Sequence, residues 1–218
     1  MPPLRFCYQT LEFDDMDIHV RTLRDKQQYD DSFDEDSISG LSDANWSLFG
    51  VIWPSGKVLA DLMQDYNVEK LKILEIGCGI GLSSLILNHR NANITTTDIN
   101  PNAKEFLDEN TRINKDDKIP FFCTNWDEEK NDLGIYDLII ASDVLYEHFY
   151  LKNLADFLNN HTKKDSKVIV VDPGRGNSNK FSKLMLNLGF NFNQYKPKDT
   201  EKYLDEPFKG TISTFLKS

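Results

Sequence analysis

The residues best suited to chemistry stand at Glu75, Gly77, Gly79 and Gly81, inside the stretch Leu71–Leu82, LKILEIGCGIGL. Lys72–Ile76 is a short apolar run closed by glycine, the pattern of a buried strand, and Leu82–Leu87 reads as the start of a helix. Strand, glycine turn and helix together bring backbone N–H groups close to a ligand, because glycine turns tightly and carries no Cβ. The spacing is G-x-G-x-G, with Leu82 where a dinucleotide fingerprint places its third glycine. Asp98 follows 21 residues after Gly77, at the end of a second strand-like run, Asn93–Thr97.

A carboxylate at such a strand end can hold ribose hydroxyls. Glu75 precedes the first glycine by two residues. It sits badly beside a pyrophosphate, since two anions in a partly desolvated crevice repel. It suits a ligand that carries an ammonium and a sulfonium. The two acids together favour S-adenosylmethionine (SAM) over NAD.

The elements that must position these residues alternate along the chain. Leu4–Phe13 and Ile18–Leu23, rich in β-branched and aromatic residues around Asp14–Asp15, read as a hairpin. Arg24–Asp36 is acidic and nearly free of apolar residues, the composition of a mobile loop. Leu48–Pro54 is apolar; Ser55 can cap a helix to about Tyr66, with Val58, Leu59, Leu62, Met63 and Tyr66 on its core face. Strands are expected at Asn93–Asp98, Pro120–Thr124, Tyr136–Ser142 and Lys167–Val171, and helices at Leu82–His89, Leu151–Leu158 and Asn179–Leu188. A further helix is capped by Asn100 with Pro101 at its first position. Phe190–Tyr195 and Thr211–Leu216 form a last strand pair. This alternation indicates a parallel α/β sheet with helices on both faces. Ligands bind such sheets outside the carboxyl ends of the strands, where Glu75, Asp98, Trp126, Asp143 and Asp172 all fall.

Composition narrows the function classes. The chain has 218 residues and a net charge of -10, with 35 acids against 25 bases. A nucleic-acid partner held by a broad basic surface is therefore disfavoured. No apolar run reaches the roughly 18–20 residues that span a membrane, and the N-terminus lacks signal-peptide regions. Cys7, Cys78 and Cys123 show no metal-ligand spacing and read as reduced thiols of a cytoplasmic protein. His19, His89, His148 and His161 form no HExxH pattern or Cys/His cluster, so no metal is expected.

LEIGCGIG, TDINP, TNW and IIASDVLY, in this order and spacing, resemble the successive motifs of class I, seven-β-strand SAM-dependent methyltransferases. Trp53–Gly56 (WPSG) and Asp143-x-x-Tyr146 resemble the lysine methyltransferase branch, methyltransferase family 16, and Asp172–Gly176 (DPGRG) its bacterial members. The resemblance spans roughly Phe49 to Phe190. It implies a Rossmann-like, doubly wound sheet of order 3-2-1-4-5-7-6 with the seventh strand antiparallel. Residues 48–218 would form the methyltransferase domain, and residues 1–47 a hairpin and acidic-loop extension.

By the same resemblance, Gly77, Cys78, Gly79 and Gly81 would follow the methionine part of SAM, and Glu75 would organise the turn and the ammonium side. Asp98 would hold the ribose hydroxyls, Asn125 and Trp126 would flank the adenine, Ser142 and Trp53 would line the pocket, and Ile99 is a further cofactor-binding position. Asp143 and Tyr146 match the catalytic pair at the acceptor entrance, and His148 is a candidate proton relay. The implied reaction is methyl transfer to a nitrogen, most simply a protein lysine, with S-adenosylhomocysteine (SAH) as product and a monomer as the simplest state. A small-molecule amine, a protein histidine and a non-catalytic SAM-binding module stand as alternatives.

Overall fold

The computed structural model describes residues 5–24, 47–127 and 132–218. The acidic segment expected after Arg24 falls outside them. The hairpin is present: β1 (Phe6–Phe13) and β2 (Met16–Leu23) pair antiparallel around Asp14–Asp15. Then follow α1 (Pro54–Asp65), β3 (Lys72–Ile76), α2 (Leu82–His89), β4 (Asn93–Asp98), α3 (Ala103–Asn114), β5 (Phe121–Cys123) and β6 (Tyr136–Ser142). The described chain ends with α4 (Leu151–Asn160), β7 (Thr162–Asp172), α5 (Ser178–Asn187), β8 (Phe190–Tyr195) and β9 (Thr211–Lys217).

The main sheet has seven strands in the order β5-β4-β3-β6-β7-β9-β8. Pairings from β5 to β7 are parallel, and β9 runs antiparallel to both β7 and β8. Counted from β3, this is the expected order 3-2-1-4-5-7-6. The central strands are apolar on both faces, as strands covered by helices on either side must be. In β6, Leu138 and Ile140 join the core under α1, α2 and α3, while Ile139 and Ala141 join the core under α4 and α5. Chain order reverses between β3 and β6, which opens a crevice at their carboxyl ends.

Two expected helix starts differ. Trp53, in extended backbone, stands at the N-cap of α1 and Pro54 takes its first position. Proline is suited there, because its missing N–H would have no intrahelical partner. Ser55 therefore lies inside the helix, buried, rather than capping it. Helix α3 begins at Ala103 behind Asn102, while the Asn100 side chain accepts the Asn102 N–H at 2.9 Å in a turn before the helix. Strand β7 starts at Thr162 rather than Lys167, with a register irregularity where Tyr136 and Leu138 of β6 meet it.

The hairpin is seated on α3 by an unusual pairing. Asn110 and Asn114, one turn apart, face β2. Asn110 Oδ1 accepts the Arg21 N–H at 2.7 Å, and Asn114 Oδ1 accepts the His19 N–H at 2.8 Å. Asn114 Nδ2 donates to the His19 carbonyl at 2.7 Å. The two amides thus complete the edge of β2 as a neighbouring strand would. Ile18, Val20 and Leu23 enter the same core as α1, α2 and α3.

Candidate active site

The crevice holds a cavity of about 240 Å³. Its floor is the glycine turn after β3. Gly77 and Gly79 have φ of 58° and 55°, a region that disfavours any side chain. A Cβ on Gly79 would meet the Phe49 carbonyl oxygen at 2.9 Å, and one on Gly77 would meet Val144 at 3.0 Å. The turn is thus pressed between the segment before α1 and the loop after β6. Cys78 is buried and donates its backbone N–H to the Thr97 carbonyl at 3.0 Å, which ties the turn to β4.

Two buried acids lie beneath. Asp98, at the end of β4, accepts the Gly79 N–H at 2.8 Å on one oxygen and the Asn100 N–H at 2.9 Å on the other. Glu75 accepts the Ser84 N–H at 3.0 Å, in the first turn of α2, and the Ser84 hydroxyl. Burial raises the Glu75 carboxyl to about 7, against the pull of the Ser84 hydrogen bonds and with a small push from Asp98. Burial also raises Asp98, opposed by the backbone N–H groups of Asn100 and Gly79. Two carboxylates so close in a desolvated site are uncomfortable without a cation.

Trp53, Ile99, Asn125, Trp126 and Ser142 also line the cavity. Asn125 Oδ1 accepts the Asp127 N–H at 3.0 Å, which bends the chain after β5 around Trp126. Gly81 lies apart from the lining: at φ 76° it caps α2, and its bare Cα packs on Leu107, where a Cβ would stand 2.5 Å from Cδ1. Its glycine is required by helix packing at this turn.

Asp143 and Tyr146 line the same cavity. Asp143 adopts the left-handed region, φ 56°, at the end of β6, and its N–H is held by the Val171 carbonyl at 2.9 Å. Its carboxylate is gripped by Arg175, whose Nε and Nη2 each donate at 2.9 Å, one to each oxygen. Asp143 is thus ion-paired as well as placed at the cavity. Burial first, then the charges of Asp98, Glu147, Tyr150 and Asp143, push the Tyr146 phenol up to about 12. Asp172 stays outside the lining: buried, it accepts the Gly174 N–H at 3.2 Å and shapes the loop that carries Arg175. His148 is exposed and contacts Lys180 instead of the cavity. Sequence reasoning missed Phe49, Asn100, Tyr150 and Arg175 in the lining; the only signal was Arg175 inside DPGRG.

A sheet of this order, with a glycine turn after its first strand and an acid ending its second, defines the class I methyltransferase fold. Within that class the chain belongs to the lysine methyltransferase family, whose sequence profile matches residues 32–187. It is 28% identical over 137 residues to the protein N-lysine methyltransferase METTL21A of Xenopus tropicalis, covering 58% of this chain and 62% of that protein. It is 29% identical over 126 residues to the ribosomal protein L11 methyltransferase of Acetivibrio thermocellus, covering 53% of this chain and 39% of that one. The chain thus spans less than two thirds of these relatives. Among solved structures, the 16S rRNA N2 G1207 methyltransferase of T. Thermophilus, in complex with AdoMet and guanosine, superposes with a TM-score of 0.70. That match has 12% identity and covers all of this chain and 52% of the other, a likeness of fold.

Proposed function

We propose that this chain transfers a methyl group from SAM to a nitrogen, the ε-amine of a lysine on a protein substrate. One observation carries the reading: a single cavity is lined both by a glycine turn over two buried acids and by the Asp143–Tyr146 pair. The residues fit SAM by their chemistry. Glu75 and Asp98 answer its positive charge, and Trp126 and Ile99 offer an apolar wall for a purine. SAM, when bound, supplies a methyl group already activated on a sulfonium. The lysine acceptor is supported by the family description and by relatives named as lysine methyltransferases.

The protein's own contribution is positioning and water exclusion, effects that can supply on the order of 7–11 kcal/mol. A lysine amine is protonated below about 10.4 and attacks only when neutral. Asp143, its charge shared with Arg175, directs the amine without holding its proton as a bare carboxylate would. Burial among Trp126, Tyr146 and Tyr150 disfavours the ammonium, so the proton leaves to water at the mouth before attack. Tyr146 stays a neutral phenol at physiological pH and walls the acceptor channel.

The test is incubation with radiolabelled SAM and a cell lysate, then separation of macromolecules from small molecules and hydrolysis of the protein fraction. Label recovered as methyl-lysine is expected. Label confined to small molecules, or recovered as methyl-histidine, would overturn the acceptor assignment.

A further inference from the structure

Four acids line the cavity, Glu75, Asp98, Asp127 and Asp143, and among the described residues Arg175 is the one basic side chain there. Its place is at the acceptor end, clasped to the acid that would receive a lysine. Through Nε and Nη2 it fills both Asp143 oxygens on their near side. Its side chain is nevertheless 44% exposed, against 12% for Asp143. A guanidinium carries five N–H donors in a rigid fork. Two are used on Asp143, which leaves the Nη1 hydrogens and the second Nη2 hydrogen on a side chain that is partly exposed. The loop around it is clear: Gly174 and Gly176 have φ of 102° and 85°, and nothing lies within 4 Å of where a Cβ would stand on either. A bulky partner can approach those donors.

From this geometry we infer that Arg175 is a specificity-determining residue, which selects peptide segments carrying an acidic residue beside the target lysine. The inference rests on the lysine reading above and deepens it. An ammonium arriving at Asp143 meets the guanidinium at close range, and like charges repel. A neighbouring carboxylate on the acceptor removes that conflict: it takes the remaining N–H donors of Arg175 while the amine is steered by Asp143. A lysine among basic residues has no such compensation. Net charge makes the point sharper, since a chain of net charge -10 would by long-range attraction favour basic segments. The guanidinium works locally against that bias.

The experiment uses SAH-loaded protein and two synthetic peptides that share a central lysine, one flanked by aspartates and one by serines. Binding is measured for the wild type, Arg175→Ala and Arg175→Lys, with SAH affinity as the control that each variant has folded. The wild type should bind the aspartate-flanked peptide about tenfold tighter. Arg175→Ala should lose that preference, and Arg175→Lys should keep part of it. If Arg175→Ala does not fold, the Lys variant carries the comparison, with the preference reduced but not reversed. Equal binding of both peptides by the wild type, no binding of the acidic peptide, or a preference that survives in Arg175→Ala would overturn the inference. Failure of the lysine reading looks different: the binding preference is present, yet radiolabelled SAM transfers no methyl group to either peptide.

Discussion

Asp98 Oδ2 accepts the Gly79 N–H at 2.8 Å, so the carboxylate that ends β4 also fixes the glycine turn that follows β3. The contact links two neighbouring strands of the sheet at the point where the cavity opens. It gives Asp98 a structural task besides any hydrogen bond to a ribose. Its other oxygen holds the Asn100 N–H, so the loop before α3 depends on the same side chain.

Asp98→Ala should therefore do two things at once. It leaves the Gly79 and Asn100 N–H groups without their acceptor, a loss of about 1–3 kcal/mol for each group that stays buried. It also removes the proposed ribose partner, so SAM affinity should fall. Thermal unfolding and calorimetric titration report the two separately. Unchanged affinity would count against the ribose assignment even if stability drops.

Glu75 makes pH a probe of the site. Its carboxyl is raised from 4.5 to about 7 by burial, so between these values the folded chain holds a proton that the unfolded chain has lost. Stability from this group is therefore full at low pH, declines as pH rises through that window and levels off above about 7. A cationic ligand favours the ionised form. SAM binding should release a proton and weaken as pH falls below about 7. Calorimetry in buffers of different ionisation enthalpy measures that proton, and Glu75→Gln should abolish its release.

Asp143→Asn is the cleaner test of the acceptor pair, because asparagine tolerates the left-handed backbone that Asp143 adopts, whereas alanine is strained there. Asp143→Ala and Asp143→Asn should both bind SAM and both lose turnover. Turnover at the wild-type rate in either would remove Asp143 from the acceptor site. Tyr146→Phe should leave the pH–rate profile unchanged below pH 10, since burial pushes the phenol up to about 12.

Asn110→Leu tests the seat of the hairpin. It removes the acceptor of the buried Arg21 N–H, at 2.7 Å, and should cost about 1–3 kcal/mol in global stability. Hydrogen exchange should quicken at Arg21. A stability equal to the wild type would mean that β2 finds another partner.

Much of the fold was legible in local pattern. The runs YDLIIAS and NFNQ, with their apolar or alternating side chains, mark β6 and β8, and the apolar face of α3 is readable at Ala103, Phe106 and Leu107. Helix starts were less legible, because a proline after Trp53 and another after Asn100 allow two cap positions each. At the site, the glycines and the acids at strand ends show in the sequence because strand ends set their place. The Arg175–Asp143 pair does not, since it spans two loops 32 residues apart and only tertiary packing joins them. Asn110 is similar: on an apolar face it looks out of place until β2 supplies the amide it accepts.

The most direct measurement is a titration of the purified protein with SAM, SAH and NAD in parallel. One-site binding of SAM and SAH, with no uptake of NAD, is the expected result. Binding of a nicotinamide or flavin dinucleotide, with no affinity for SAM or SAH, would contradict a cavity built around a cationic methyl donor.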